Sequence, residues 1–142
     1  MKNNDLERII RIKQYCDDIT SVLKQHHVTL ESFRENKLYF HAISMCLMQI
    51  GELSTKLSEG FRQETDSQIP WNEIRGMRHL FAHAYQKMSE RTIWDTATKD
   101  IPNLLQFCIQ QINQALPAIT ECSTPEETLR AYIEYRESGL GS

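Results

Sequence analysis

Apolar residues recur at steps of three and four along most of this chain, and that period leaves few folds open to it. Ile9, Ile12, Cys16, Ile19 and Leu23 fall on one face of a helix over about residues 5–26. Ile43, Leu47, Ile50, Leu53 and Leu57 repeat the pattern over about 36–59, where Gly60 is placed to close the helix. Ile93, Ala97, Ile101, Leu104, Cys108, Ile112 and Ala115 line a further face, entered through Ser89 as a cap with Glu90 after it. Pro102 lies inside that pattern, so the helix should bend or restart after Asp100, and Pro117 ends it. Alternation at period two is scarce. The expectation is an all-α, antiparallel four-helix bundle.

Shorter signals fill in the rest. Thr29 or Ser32 can cap a short turn, and Phe61 to Ile69 is polar without a period and reads as a loop. Thr124-Pro125-Glu126-Glu127 starts an additional C-terminal helix reaching about Ser138, after which Gly139-Leu140-Gly141-Ser142 should fray. At 142 residues the chain is sized for a single domain, 1–142, with a core over 5–116 and the extra helix and tail over 124–142.

The fourth apolar stripe opens at Pro70, a residue suited to a helix's first turn because its missing N–H would find no partner there. Ile74, Met77, Leu80, Phe81, Ala84 and Met88 share one arc of an ideal helix. Trp71, Arg75, Arg78, His79, Ala82, His83 and Tyr85 share the other. One arc can dock while the other displays guanidinium, imidazole and phenol groups, the parts needed to hold a phosphate and move a proton beside it. Arg78 offers a planar, permanently charged fork for a phosphate on which negative charge grows. His83 suits proton transfer near neutrality. The two lie about 140° apart on an ideal helix, so a straight helix cannot aim both at one phosphate, and a groove between two protomers fits them better. His79 and His83 also have the His-x3-His spacing of helical metal ligands, but no third ligand follows and no glutamate adjoins His79, so neither a metal nor another cofactor is expected.

The run from Pro70 to Arg78, continuing as Arg78-x4-His83-Ala84-Tyr85, resembles the arginine-x(4–6)-histidine-x-tyrosine signature of HEPN domains, and within them the HepT-like toxins. Ile50-Gly51-Glu52 in the preceding long helix, and Trp94 followed by Asp100-Ile101-Pro102, extend the likeness across about residues 5–116. The resemblance implies a HEPN-type bundle that forms a homodimer. It also implies an endoribonuclease that uses no metal, cuts tRNA or mRNA, and serves as the toxin of a toxin–antitoxin pair. Arg78 and His83 match the family's catalytic residues. Tyr85 matches the tyrosine on which a partner nucleotidyltransferase antitoxin places AMP. Arg75 and His79 are carried as RNA contacts. Glu52 either orients Arg78 or His83 from the neighbouring helix or only caps the close approach that Gly51 permits. Trp71 reads as a packing residue at the bundle edge. The rival reading is a non-catalytic helical subunit that binds a substrate or partner for a small nucleotidyltransferase.

A net charge of −3 disfavours capture of nucleic acid by the whole surface, so a local basic patch would have to bind RNA. No stretch approaches the length of a membrane span, and the start of the chain lacks a leader's apolar block, which points to the cytoplasm and away from membranes. Cys16, Cys46, Cys108 and Cys122 contain no Cys-x-x-Cys pair. The first three fall on apolar stripes and read as buried free thiols.

Overall fold

The computed structural model describes residues 1–139, and the regular structure among them is helical throughout. Four long segments carry the fold: α1 (Asn3–Gln25), α3 (Lys37–Lys56), α5 (Trp71–Ala84) and α7 (Ile101–Ala115). Short helices join and cover them: α2 (Leu30–Glu35), α4 (Glu59–Thr65), α6 (Glu90–Asp95) and α8 (Pro125–Glu137).

The anticipated stripes form the core. Ile9, Ile12, Cys16 and Ile19 of α1 are fully buried against Ile43, Leu47, Ile50 and Leu53 of α3, with Leu104, Cys108 and Ile112 of α7 closing the other side. The chain runs antiparallel from α1 to α3, because Asp5 at the start of α1 meets Ser58 just past the end of α3. Its buried carboxylate accepts the Ser58 N–H at 2.7 Å and the Ser58 hydroxyl at 2.6 Å. The step from α3 to α5 is antiparallel as well, since the hydroxyl of Tyr85 after α5 meets His41 near the start of α3. Over the end of the bundle, Phe33 of α2 packs on Phe40 and on Trp94 of α6.

Local chemistry explains most boundaries. Thr29 and Ser32 bond reciprocally at the start of α2, and Thr124 with Glu127 do the same at α8. Ser89 caps α6 through the N–H of Thr92. The interruption expected around Pro102 is a π-helical turn at Thr96–Asp100, after which α7 restarts with proline in its first turn, where no N–H is lost. Cys16 and Cys108 are buried free thiols, and burial pushes the Cys16 thiol up to about 12. Cys46 is half-buried, whereas Cys122 is exposed.

Three expectations need correction. The stretch read as a loop from Phe61 to Ile69 contains most of α4, capped by Ser58 and anchored by buried Phe61 and Thr65. Gly60 therefore sits inside that helix, and α3 ends instead where Leu57 turns extended at ψ 143°. The motif helix stops at Ala84, whose own φ of −137° breaks the helical path, and Tyr85 begins a 3₁₀ turn running to Lys87. Its two arcs are also less clean than an ideal wheel. Trp71, on the displayed arc of an ideal wheel though read as a packing residue at the bundle edge, packs into the core, where its indole N–H donates to the Thr65 hydroxyl at 2.8 Å. Leu80, expected to dock, is 50% exposed. Of the tail expected to fray, Gly139 is in a turn with φ +74°, and the remaining residues lie outside those described.

Candidate functional site

The pairing of α3 with α5 creates the site, and Gly51 sets how close the two helices come. A Cβ at Gly51 would stand 3.1 Å from both the Arg78 amide nitrogen and the Ile74 carbonyl oxygen, and 3.3 Å from the Arg78 Cβ. A side chain at residue 51 would push on the backbone of the very helix that carries the functional groups. Because glycine leaves that space open, Glu52, the next residue of α3, reaches the Arg78 guanidinium and forms an ion pair with its Nε. Lys56, one turn on, lies 3.8 Å from the other Glu52 oxygen. Of the two readings of Glu52, the ion pair fits the first, a carboxylate set beside Arg78 from the neighbouring helix, across an approach that Gly51 permits.

Around this pair lies an open depression of about 350 Å³, lined by Met48, Gln49 and Glu52 of α3 and by Arg78, His79, Ala82 and His83 of α5. The His79 and His83 rings stand one helical turn apart, centroids 4.5 Å from each other. Arg78, His79 and His83 are all exposed, so solvent or a ligand reaches them directly. The expected 140° conflict between Arg78 and His83 does not prevent them from lining the same depression. A long guanidinium side chain bends toward α3, and the cavity is wide enough to meet both. Chemically, the wall offers one permanent cation, two imidazoles able to give or take protons, and a carboxylate that fixes the cation.

Two motif residues stand elsewhere. Arg75 lines a separate depression of about 420 Å³ with Glu59, Arg62 and Gln63 of α4, Asp66 just after it, and the first turn of α5. Its Nε is buried without a hydrogen-bond partner among the described residues. Helical side chains lean toward the N-terminus, which carries Arg75 toward α4 and away from His79. Tyr85 does not share the face of Arg78, as an unbroken helix would require. Its half-buried ring packs against Phe40, His41 and Phe81, and its hydroxyl forms a hydrogen bond with His41 Nδ1. Sequence reasoning passed over His41, along with Met48 and Gln49. His41 and Gln49 lie on the polar side of the expected 36–59 helix, where nothing in the period distinguishes them from solvated residues. The one available signal was that an antiparallel neighbour brings the start of that helix to the end of the motif.

Among the described residues no group of three or more His, Cys, Asp and Glu side chains is arranged to hold a metal ion, and no helix is long and apolar enough to cross a membrane.

Comparison with known proteins places this geometry in context. The family model for proteins described as Ribonuclease HepT-like matches residues 7–111, which include every site residue named above. A protein of Methanocaldococcus jannaschii named as a candidate RNase is 34% identical over 93 residues, covering 66% of this chain and 74% of its own length. One of Caldanaerobacter subterraneus subsp. tengcongensis, also named as a candidate RNase, is 36% identical over 93 residues, 66% of this chain and 80% of its own. A candidate ribonuclease HepT of Thermococcus cleftensis is 31% identical over 97 residues, 65% of this chain and 87% of its own. No solved structure matches the chain significantly.

Proposed function

The chain belongs to the HepT-like ribonuclease family, and from that premise we propose that it is the toxin of a toxin–antitoxin pair, an endoribonuclease that cuts tRNA or mRNA without a metal. The observation that carries this reading is the depression in which Glu52, Arg78, His79 and His83 meet. Cleavage without a metal proceeds by in-line attack of the ribose 2′-hydroxyl on the adjoining phosphorus, and it needs a base, an acid and a cation at the phosphorus. Arg78 is the cation, held in place by Glu52. His83 is the proton-transfer group, and His79 contacts the RNA beside it. Arg75, on the neighbouring depression, holds the strand away from the scissile bond.

One face of the site stands open. Arg78, His79, Ala82 and His83 are exposed, and so are the apolar side chains of Met45 on α3 and Leu80 on α5. A second copy docked over this face would bury the apolar pair and set each chain's arginine beside the other chain's histidine, which supports a composite site in a homodimer. It would also double the local positive charge on a chain whose overall charge is −3. The antitoxin is a nucleotidyltransferase that adds AMP to Tyr85, two residues beyond His83, so that the anionic adduct opposes RNA by charge and volume.

The test is cleavage of RNA in EDTA by the purified chain. Activity should persist in the chelator and leave 2′,3′-cyclic phosphate ends. Arg78→Ala and His83→Ala should each fold normally, because both side chains are exposed, and each should lower cleavage by at least about a hundredfold. A His83→Ala chain as active as the parent would remove the mechanism, and activity lost in EDTA but restored by zinc would move the chemistry to a metal on His79 and His83.

A further inference from the structure

The His41–Tyr85 hydrogen bond is a feature that RNA cleavage at Arg78 and His83 does not use. It ties α3 to the 3₁₀ turn after α5, and it is the hydrogen bond of the Tyr85 hydroxyl among the described residues. The phenol ring packs against the rings of Phe40, His41 and Phe81, with centroids 5.6, 5.9 and 6.1 Å away. The hydroxyl is thereby held against one acceptor. His41 itself is exposed, so a proton arriving on its ring can pass to water. In the tautomer carrying its proton on Nε2, Nδ1 accepts the Tyr85 O–H.

A phenol is a weak nucleophile near neutral pH because almost all of it is protonated. It gains reactivity when a neighbouring base takes the proton as the new bond forms. A hydroxyl, an imidazole in contact with it and a packed ring that fixes the orientation are the arrangement such activation requires. A tyrosine with only a packing role needs no base at its hydroxyl, and an exposed histidine with only a solvated role needs no phenol.

We infer that His41 is the base that activates the Tyr85 hydroxyl as acceptor of a nucleotidyl group, an inference resting on the reading that Tyr85 is the modified residue. The phenol oxygen attacks the α-phosphorus of a nucleoside triphosphate brought by the partner enzyme, and the bond from that phosphorus to the leaving pyrophosphate breaks. The phenol proton moves to His41 Nδ1, and the imidazolium then gives a proton to water. In this scheme the toxin carries part of the catalytic apparatus for its own modification.

The test does not need the partner enzyme. An adenosine derivative with a fluorosulfonylbenzoyl group at its 5′ position reacts with activated phenols: the oxygen attacks sulfur, fluoride leaves, and the proton passes to the base. The purified full-length chain should acquire this adduct on Tyr85, located by peptide mass spectrometry and absent from Tyr85→Phe. His41→Gln, which preserves a hydrogen-bonding side chain but cannot take the proton, should label at least about tenfold more slowly at equal probe concentration. Millimolar imidazole should restore labelling of His41→Ala, an effect that a purely packing role for His41 does not produce. Circular dichroism shows whether each variant has folded. Absence of a Tyr85 adduct in the parent chain, slowing smaller than this in His41→Gln, or no rescue by imidazole overturns the inference. Failure of the underlying reading shows separately, as a chain that labels through His41 yet gains no AMP when coexpressed with a cognate nucleotidyltransferase.

Discussion

Glu52 holds the Arg78 guanidinium from the neighbouring helix while both side chains remain in water, 35% and 55% exposed. An ion pair in that setting contributes at most about 1 kcal/mol to stability, so its consequence lies in geometry. Arg78 without a fixed partner would sample many rotamers, and a phosphate would have to order it on arrival. With Glu52 in place the fork is already oriented, though part of its charge is neutralised before RNA binds. Glu52→Gln should therefore leave unfolding within about 1 kcal/mol of the parent. It should tighten RNA binding by removing a negative charge from the cleft, and lower kcat roughly tenfold by releasing the fork. Steady-state kinetics separates the two effects. An unchanged kcat would assign Glu52 to the packing of α3 on α5 alone.

Helix identity was written in the period of apolar residues, and helix ends in their capping residues, so α1, α3, α6, α7 and α8 could be read with small boundary shifts. Two elements escaped for physical reasons. The α4 helix buries only Phe61 and Thr65 and is held by the Ser58 cap, so it leaves no periodic trace, and its Gly60 imitates a terminator. The end of α5 escaped because extrapolating 3.6 residues per turn past Ala84 assumes a helix that the backbone abandons there. That one break moves Tyr85 from the Arg78 face to His41, which no single-helix wheel can show. Glycines were legible as residues but not as roles, and two of them now separate. At Gly51 an added Cβ meets backbone of α5 at 3.1 Å, whereas at Gly76 it meets nothing within 4 Å. Gly76→Ala should stabilise the chain by about 0.5–1 kcal/mol through helix propensity. Gly51→Ala gains the same propensity but forces α5 outward, at a cost of about 1–3 kcal/mol. The expected result is net destabilisation, with Arg78 moved off Glu52 and cleavage reduced. Urea unfolding of the two variants should give opposite signs, and a stabilised Gly51→Ala would show that α3 and α5 separate easily.

For the whole molecule, the central question is whether one chain or two make a complete site. Arg78 and His83 line one depression of a single chain, with His79 4.5 Å from His83, so a lone chain already presents a cation and two imidazoles. The depression is nevertheless open, Met45 and Leu80 are exposed on the two helices that line it, and a two-fold partner would pair each arginine with the other chain's histidine as readily as with its own. Mixing inactive variants separates these arrangements. In a dimer of one Arg78→Ala chain and one His83→Ala chain, a site drawn from both chains joins the intact arginine of the second to the intact histidine of the first. The other site of that dimer has neither. If subunits exchange freely, about half of the dimers are mixed and each keeps one site of two, so an equimolar mixture should recover about a quarter of parental activity. Where each chain uses its own arginine and histidine, every site in the mixture lacks one group and activity stays at the level of the separate variants. The composite site proposed here requires the first outcome, together with sedimentation at twice the chain mass. A mixture that stays inactive after subunit exchange has been verified by mass spectrometry would place catalysis within one chain, with the dimer left to gather charge for RNA.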